Sequence, residues 1–232
     1  MFDHSIPDRP PTHLVSDCDG VLIDSEAVAL DTLLTALQSR MPDRAQLADL
    51  IRPRLGLPLV TVLAQLFAHL HATAADGELA AIGEHVESEC DRRLSLVPGV
   101  AAALAAIALP KAVASNSQSD RVRAALARTG LTAQFGTRIY TPDNSGHSKP
   151  HPAVYLAAAA GFGVAPGQCI AVEDSITGAS AAVAAGMVVL GYIGGGHVPA
   201  GQAARMQALG VHATFDDMID LPGLVQALVR PV

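Results

Sequence analysis

The chain has 232 residues, a formal net charge of -7, 50% hydrophobic residues and only 16% charged ones. That balance supports a packed core rather than disorder, and it excludes the broadly basic surface that nucleic-acid binding requires. The cysteines Cys18, Cys90 and Cys169 form neither a CxxC pair nor a disulfide framework, and the first residues carry no long apolar run, so a cytoplasmic protein without a membrane anchor is expected.

Residues 1–12 read as a loose, Pro-rich arm. His13–Asp17 is a short apolar run ending in carboxylate, which predicts a buried strand. From Glu26 to Leu94 the rhythm is helical. Val28, Leu33, Leu34 and Leu37 mark one apolar face, and Leu59, Val62, Leu63, Leu66 and Leu70 another. After Pro98-Gly99 strands and helices alternate. Helix 100–109 precedes strand 111–114, and helix 120–129, stopped by Gly130, precedes strand 137–140. Helix 152–160, strand 168–172, helix 177–185 and strand 188–192 follow. Helix 202–209, strand 213–215 and helix 221–228 complete the chain. This alternation predicts an α/β fold, a mostly parallel sheet covered on both faces. The expected division is a core of residues 1–23 and 95–232, interrupted by a helical insert of residues 24–94.

Ligand sites in such sheets lie at the carboxyl ends of the strands. Four polar clusters fall there: Asp17/Asp19, Ser115/Asn116, Lys149 on a loop beyond its strand, and Glu173/Asp174. Asp17 and Asp19 are two apart, and Gly20 eases a turn that aims both carboxylates into one crevice. Two such groups need a cation or a shared proton, although one DxD alone is a weak signal. Glu173 and Asp174 supply further hard oxygen donors suited to magnesium; the plainer reading is an acidic cap on the next helix. Ser115 and Asn116 can hold phosphoryl oxygens, but taken alone they read as a helix N-cap. Lys149 is one of two lysines in the chain, the other being Lys111, and it stands beside Pro150 just before a helix. That placement favours charge neutralisation in a site over a solvent-facing role.

The segments DCDGVLIDSE, Ser115 at its strand end, KPHP with Lys149, and VEDSITG resemble, in order and spacing, the four motifs of the haloacid-dehalogenase-like hydrolase superfamily. The helical insert directly after the first motif looks like the branch with an alpha-helical cap. The resemblance implies a Rossmann-like core with an inserted all-helical cap. It implies a magnesium-dependent phosphatase acting through an aspartyl-phosphate. Asp17 would be the nucleophile and Asp19 the general acid and base. Ser115 and Lys149 would grip the phosphoryl oxygens, with Asn116 helping from its backbone. Asp17, Asp19 through its carbonyl, Glu173 and Asp174 would form the Mg2+ site. Ser16 stands where many relatives have phenylalanine, a change of packing more than of chemistry.

The cap is expected to choose the substrate. Its segment RPRLGLPL carries Arg52, Arg54 and Gly56, and an arginine there suits a second anionic group; each arginine reads equally well as a surface residue. His69, His71 and His85 have no metal-ligand spacing, and Gly194–Gly196 reads as a turn rather than a nucleotide loop. The overall sequence resembles bacterial phosphatases of 6-phosphogluconate and similar sugar phosphates. A small phosphate ester is the expected partner, with no nucleic acid and no membrane, and the protein is expected to be a monomer or weak homodimer. The rival within the fold is a sugar phosphomutase, whose branch usually has a cap lysine; residues 24–94 contain none. A dehalogenase would not need Asp19, Glu173 and Asp174 together, and a non-catalytic binding protein would not need the intact set.

Overall fold

The computed structural model describes residues 10–229, so most of the expected Pro-rich arm lies outside the described residues. In chain order the strands are β1 (His13–Ser16), β2 (Lys111–Ala114), β3 (Ile139–Tyr140), β4 (Cys169–Glu173), β5 (Val188–Tyr192) and β6 (Ala213–Phe215). The helices between β1 and β2 are α1 (Ser25–Leu37), α2 (Arg44–Ile51), α3 (Leu59–His69), α4 (Glu78–Arg92) and α5 (Val100–Ala106). Then come α6 (Ser119–Arg128), α7 (Thr132–Phe135), α8 (Pro142–Ser145), α9 (Ala153–Phe162), α10 (Ile176–Ala184), α11 (Gln202–Leu209) and α12 (Leu221–Val229). The strands form one six-stranded sheet in the order β3-β2-β1-β4-β5-β6, and every pair is parallel. This is the α/β architecture read from the alternation.

Both sheet faces are buried, and the side chains divide with period two. Leu14, Val113, Ile170, Val172 and Leu190 face a core of branched and aromatic residues that includes Leu104, Leu126 and Phe135. Val15, Ala112, Ala114 and Ala171 face the other way, onto Ala158, Ala159, Ala179 and Ala182 of α9 and α10. Small residues on both sides let these helices lie close to the sheet, which gives the abundant alanine a structural use. The four helices α1–α4 bury a separate cluster, including Leu33, Leu37, Ile51, Leu63 and Leu66.

Two local expectations change. Strand β3 begins at Ile139 rather than Thr137, because Gly136 turns the chain and Ile139 N–H bonds Thr137 O at 2.9 Å. The short helices α7 and α8 were not foreseen. Pro142 opens α8, and Asn144 Oδ1 accepts from the Thr141 N–H at 2.9 Å. Lys111 opens β2 with its ammonium turned back onto Ile107 O at 2.6 Å and Leu109 O at 3.2 Å. Among the described residues no helix is long and apolar enough to cross a membrane.

Candidate active site

Strand order reverses direction at β1, which has β2 on one side and β4 on the other. Such a reversal opens a crevice at the carboxyl edge, and β1, β2 and β4 bring Asp17, Ser115 and Glu173 to it. Asp17 N–H donates to Val172 O at 2.9 Å, which extends the β1–β4 ladder to Asp17 itself. The chain then turns sharply, with Leu22 and Ile23 N–H groups both donating to Cys18 O. Gly20 has φ +82, and a Cβ there would come within 1.9 Å of Asp174 Oδ2. Only glycine lets this turn pass so close to the second acidic cluster.

Lys149 joins the clusters. Its Nζ donates to Asp17 Oδ1 at 2.7 Å, Glu173 Oε1 at 2.6 Å and Ala114 O at 2.8 Å, which uses all three ammonium protons. The peptide between Lys149 and Pro150 is cis. Burial opposes the lysine's charge, but Asp17 and Glu173 overcome it and hold its pKa above the ordinary value. Tyr155 donates its hydroxyl to Glu173 Oε1, and Ser175 donates to Oε2 at 3.3 Å. Glu173 therefore acts as a buried bracket for Lys149. Gly178 makes room for it, since a Cβ there would meet Glu173 Oε1 at 1.9 Å.

Asp17, Glu173 and Asp174 offer carboxylate oxygens that all lie within 4.8 Å of one another, and all three residues are buried. Burial first and Glu173 second push both Asp17 and Asp174 well above the usual carboxylate range, against the pull of Lys149. One lysine does not neutralise three crowded carboxylates, and a hard cation suits the remaining oxygens. Asp174 is held from behind: His197 Nε2 lies 2.7 Å from its Oδ2, and Gln202 donates to its main-chain oxygen. The Gly194–Gly196 turn seats that histidine, for a Cβ on Gly195 would lie 2.4 Å from the imidazole.

Asp19 points across the crevice. Ser25 donates to its Oδ1 at 2.5 Å and Ser117 to its Oδ2 at 2.7 Å, while Ser115 Oγ lies 3.5 Å from Oδ2. Asn116 uses its side chain as a clip. Its Oδ1 accepts from Lys149 N at 2.7 Å, and its Nδ2 donates to Gly56 O at 2.9 Å.

A cavity of about 390 Å³ lies between this edge and α1–α4, with Asp17, Asp19, Ser115 and Lys149 below and Leu57 and Val62 above. Gly56 lines it, at φ +85 and packed against Ser175. Arg52 and Arg54 do not line it. Arg52 borders a smaller, separate cavity beside Asp174 and His197, and Arg54 Nη1 donates to Leu50 O at 2.5 Å. Residue spacing gave no sign of Tyr155, His197 or Gln202, which reach the site from helix and loop positions far along the chain. Ser25 and Glu26 stand inside the first motif, and Ser117 just after Ser115, so proximity in sequence was a usable signal for those three. Glu26 lines the cavity, and burial, opposed by His197 and reinforced by Asp174, pushes its carboxyl up to about 8.

The chain as a whole is similar to known proteins. The chain is 27% identical over 186 residues to 6-phosphogluconate phosphatase of Escherichia coli (strain K12), covering 78% of this chain and 82% of that one. It is 33% identical over 187 residues to hexitol phosphatase B of the same organism, covering 75% and 79%. A HAD family hydrolase of Deinococcus radiodurans, solved with bound phosphate and sodium, superposes with a TM-score of 0.77 at 29% identity, covering 97% of this chain and all of that one. The haloacid dehalogenase-like hydrolase profile itself matches residues 11–186, from β1 through α10, and the chain belongs to that family.

Proposed function

We propose that this protein is a magnesium-dependent phosphatase that hydrolyses a small phosphate monoester, a sugar or sugar-acid phosphate, through a phosphorylated Asp17. One observation carries the reading: the buried Asp17 carboxylate lies 2.7 Å from Lys149 Nζ at the floor of a cavity sized for a small molecule. A carboxylate nucleophile facing a phosphate dianion needs such a positive neighbour. The phosphatase names of the two Escherichia coli relatives agree with it.

In this mechanism an Asp17 oxygen attacks phosphorus, and the bond to the alcohol oxygen breaks as Asp19 hands that oxygen its proton. Asp19 then takes a proton from water, whose oxygen attacks the aspartyl-phosphate. Inorganic phosphate leaves and Asp17 is restored. Lys149 offsets the charge of Asp17 and of the phosphoryl oxygens, and the Ser115 hydroxyl and Asn116 main-chain N–H donate to those oxygens. The crowded carboxylates suit Mg2+, which Asp17, Glu173, Asp174 and the Asp19 carbonyl would hold. A bound magnesium ion supplies charge neutralisation for phosphoryl transfer.

We read residues 24–94 as a cap over a core of residues 1–23 and 95–232; the separate apolar cluster of α1–α4 supports this, while residues 1–9 and 230–232 lie outside the described residues. Closure of such a cap would exclude water from the first step. Three buried free cysteines suit a reducing, cytoplasmic setting.

The test is phosphate release from sugar phosphates and sugar-acid phosphates, with and without chelator. The expected result is release by the wild type with magnesium, none after chelation, and none by Asp17→Asn at unchanged fold. Sustained turnover by Asp17→Asn would remove the nucleophile from this account.

A further inference from the structure

Two basic side chains line the 390 Å³ cavity among the described residues, Lys149 and Arg121. Lys149 is fully engaged by Asp17, Glu173 and Ala114. Arg121 is held differently. It sits in the first turn of α6, just beyond Ser115–Ser117, and faces α4 across the opening. Its Nη1 lies 3.7 Å from Glu87 Oε1 and its Nε 3.9 Å from Asp91 Oδ1. Neither separation is hydrogen-bond length. Both carboxylate side chains are more than half exposed, at 56% and 57%, whereas that of Arg121 is 28% exposed. Exposed pairs of this kind contribute little and exchange readily for a better acceptor.

We propose that Arg121 is the specificity-determining residue for the leaving group: it binds a carboxylate there, which makes sugar-acid phosphates the preferred esters. This rests on the phosphatase reading above and narrows it. Asp17 and Lys149 hold the phosphoryl group, and Arg121 lines the same cavity from α6, within the field of Asp19 and facing α4. A planar guanidinium takes one carboxylate through two parallel hydrogen bonds with matched charge. A second phosphoryl group would bring excess negative charge into a cavity already lined by Asp17, Asp19 and Glu87. Asp19, Asp91 and Glu87 are the carboxylates that act on Arg121 within the protein, and the substrate carboxylate displaces the two exposed ones, Asp91 and Glu87.

Gluconate 6-phosphate and glucitol 6-phosphate provide the test, because they differ only by carboxylate against hydroxymethyl at the far end. The quantity read is the ratio of kcat/KM for the acid to kcat/KM for the polyol. The wild type is expected to favour the acid. Arg121→Gln should lower the ratio by about tenfold to a hundredfold, the range for a charged hydrogen-bonded contact. Glu87→Gln, which removes one of the exposed competing anions, should raise it. A purely structural strap between α6 and α4 would instead move both variants alike, or depress both esters equally, and either result overturns the inference. So does a wild type that hydrolyses the polyol as well as the acid. If the wild type releases phosphate from neither ester nor from p-nitrophenyl phosphate, the phosphatase reading falls and the assignment of Arg121 falls with it.

Discussion

The carboxyl edge of the sheet buries Asp17, Lys149, Glu173 and Asp174 within a few ångströms, whereas the α1–α4 unit has no fully buried charged side chain among the described residues, Glu26 being half-buried at its border. Its interior is Leu33, Leu37, Leu66 and similar residues, and its charges pair on the surface, as Arg40 does with Glu78 at 2.6 Å. The contrast separates two kinds of stability. In the helical unit each buried side chain adds an apolar contribution of its own. At the sheet edge each buried charge is tolerable only because its neighbours are present. The buried charges are thus held by a network that fails as a whole, and the helical unit by contacts that can be changed singly.

The largest effect should come from breaking that network. Lys149→Met leaves Asp17 and Glu173 buried without their cation and should cost about 3–5 kcal/mol, together with all phosphate release; a denaturant midpoint at unchanged m-value checks it. Leu66→Ala tests the other region. It removes a fully buried side chain from the α1–α4 core and should cost about 2–5 kcal/mol, while phosphate release per folded molecule persists. Equal loss of specific activity in both variants would erase the distinction between the regions.

Glu26 lies on the border of the two and titrates. Its carboxyl rises from 4.5 to about 8, chiefly by burial. The folded state therefore keeps a proton that the unfolded state has lost between those values. Stability from this group is complete below 4.5, falls as pH rises through about 8, and is level beyond it. Glu26→Gln should flatten that fall in metal-free protein, measured as denaturant midpoint against pH. The smallest effect is expected from Asn116→Ala, which cuts the clip between Gly56 and the Lys149 loop. A loss of about 1 kcal/mol, with faster amide exchange around Gly56 and little change at β4, would mark the clip as a join between two independently held regions.

Much of this was legible in the chain itself. The alternation after Pro98 placed five strands and the apolar run ending at Asp17 a sixth, and the polar residues at or just beyond their carboxyl ends are Asp17, Asp19, Ser115, Lys149, Glu173 and Asp174. Those signals are local: period two or 3.6 in apolar residues, a glycine at a turn, a charge where an apolar run stops. What the sequence could not rank was the arginines. Arg52 and Arg54 stand in a segment beside Gly56, yet Gly56 lines the main cavity and they do not, and Arg121 from α6 lines it instead.

The same limit applies to the supporting residues. Sequence by itself determined the architecture, the order of the motifs and which residue types meet at the sheet edge, because each depends on short-range pattern. Tertiary structure alone decided that Lys149 divides its protons between Asp17 and Glu173, that Tyr155 and His197 brace the acidic pair, and that Asn116 clips Gly56. These contacts join residues far apart in the chain. They depend on strand order and on how closely the alanine-lined helices pack, and no local spacing carries either quantity.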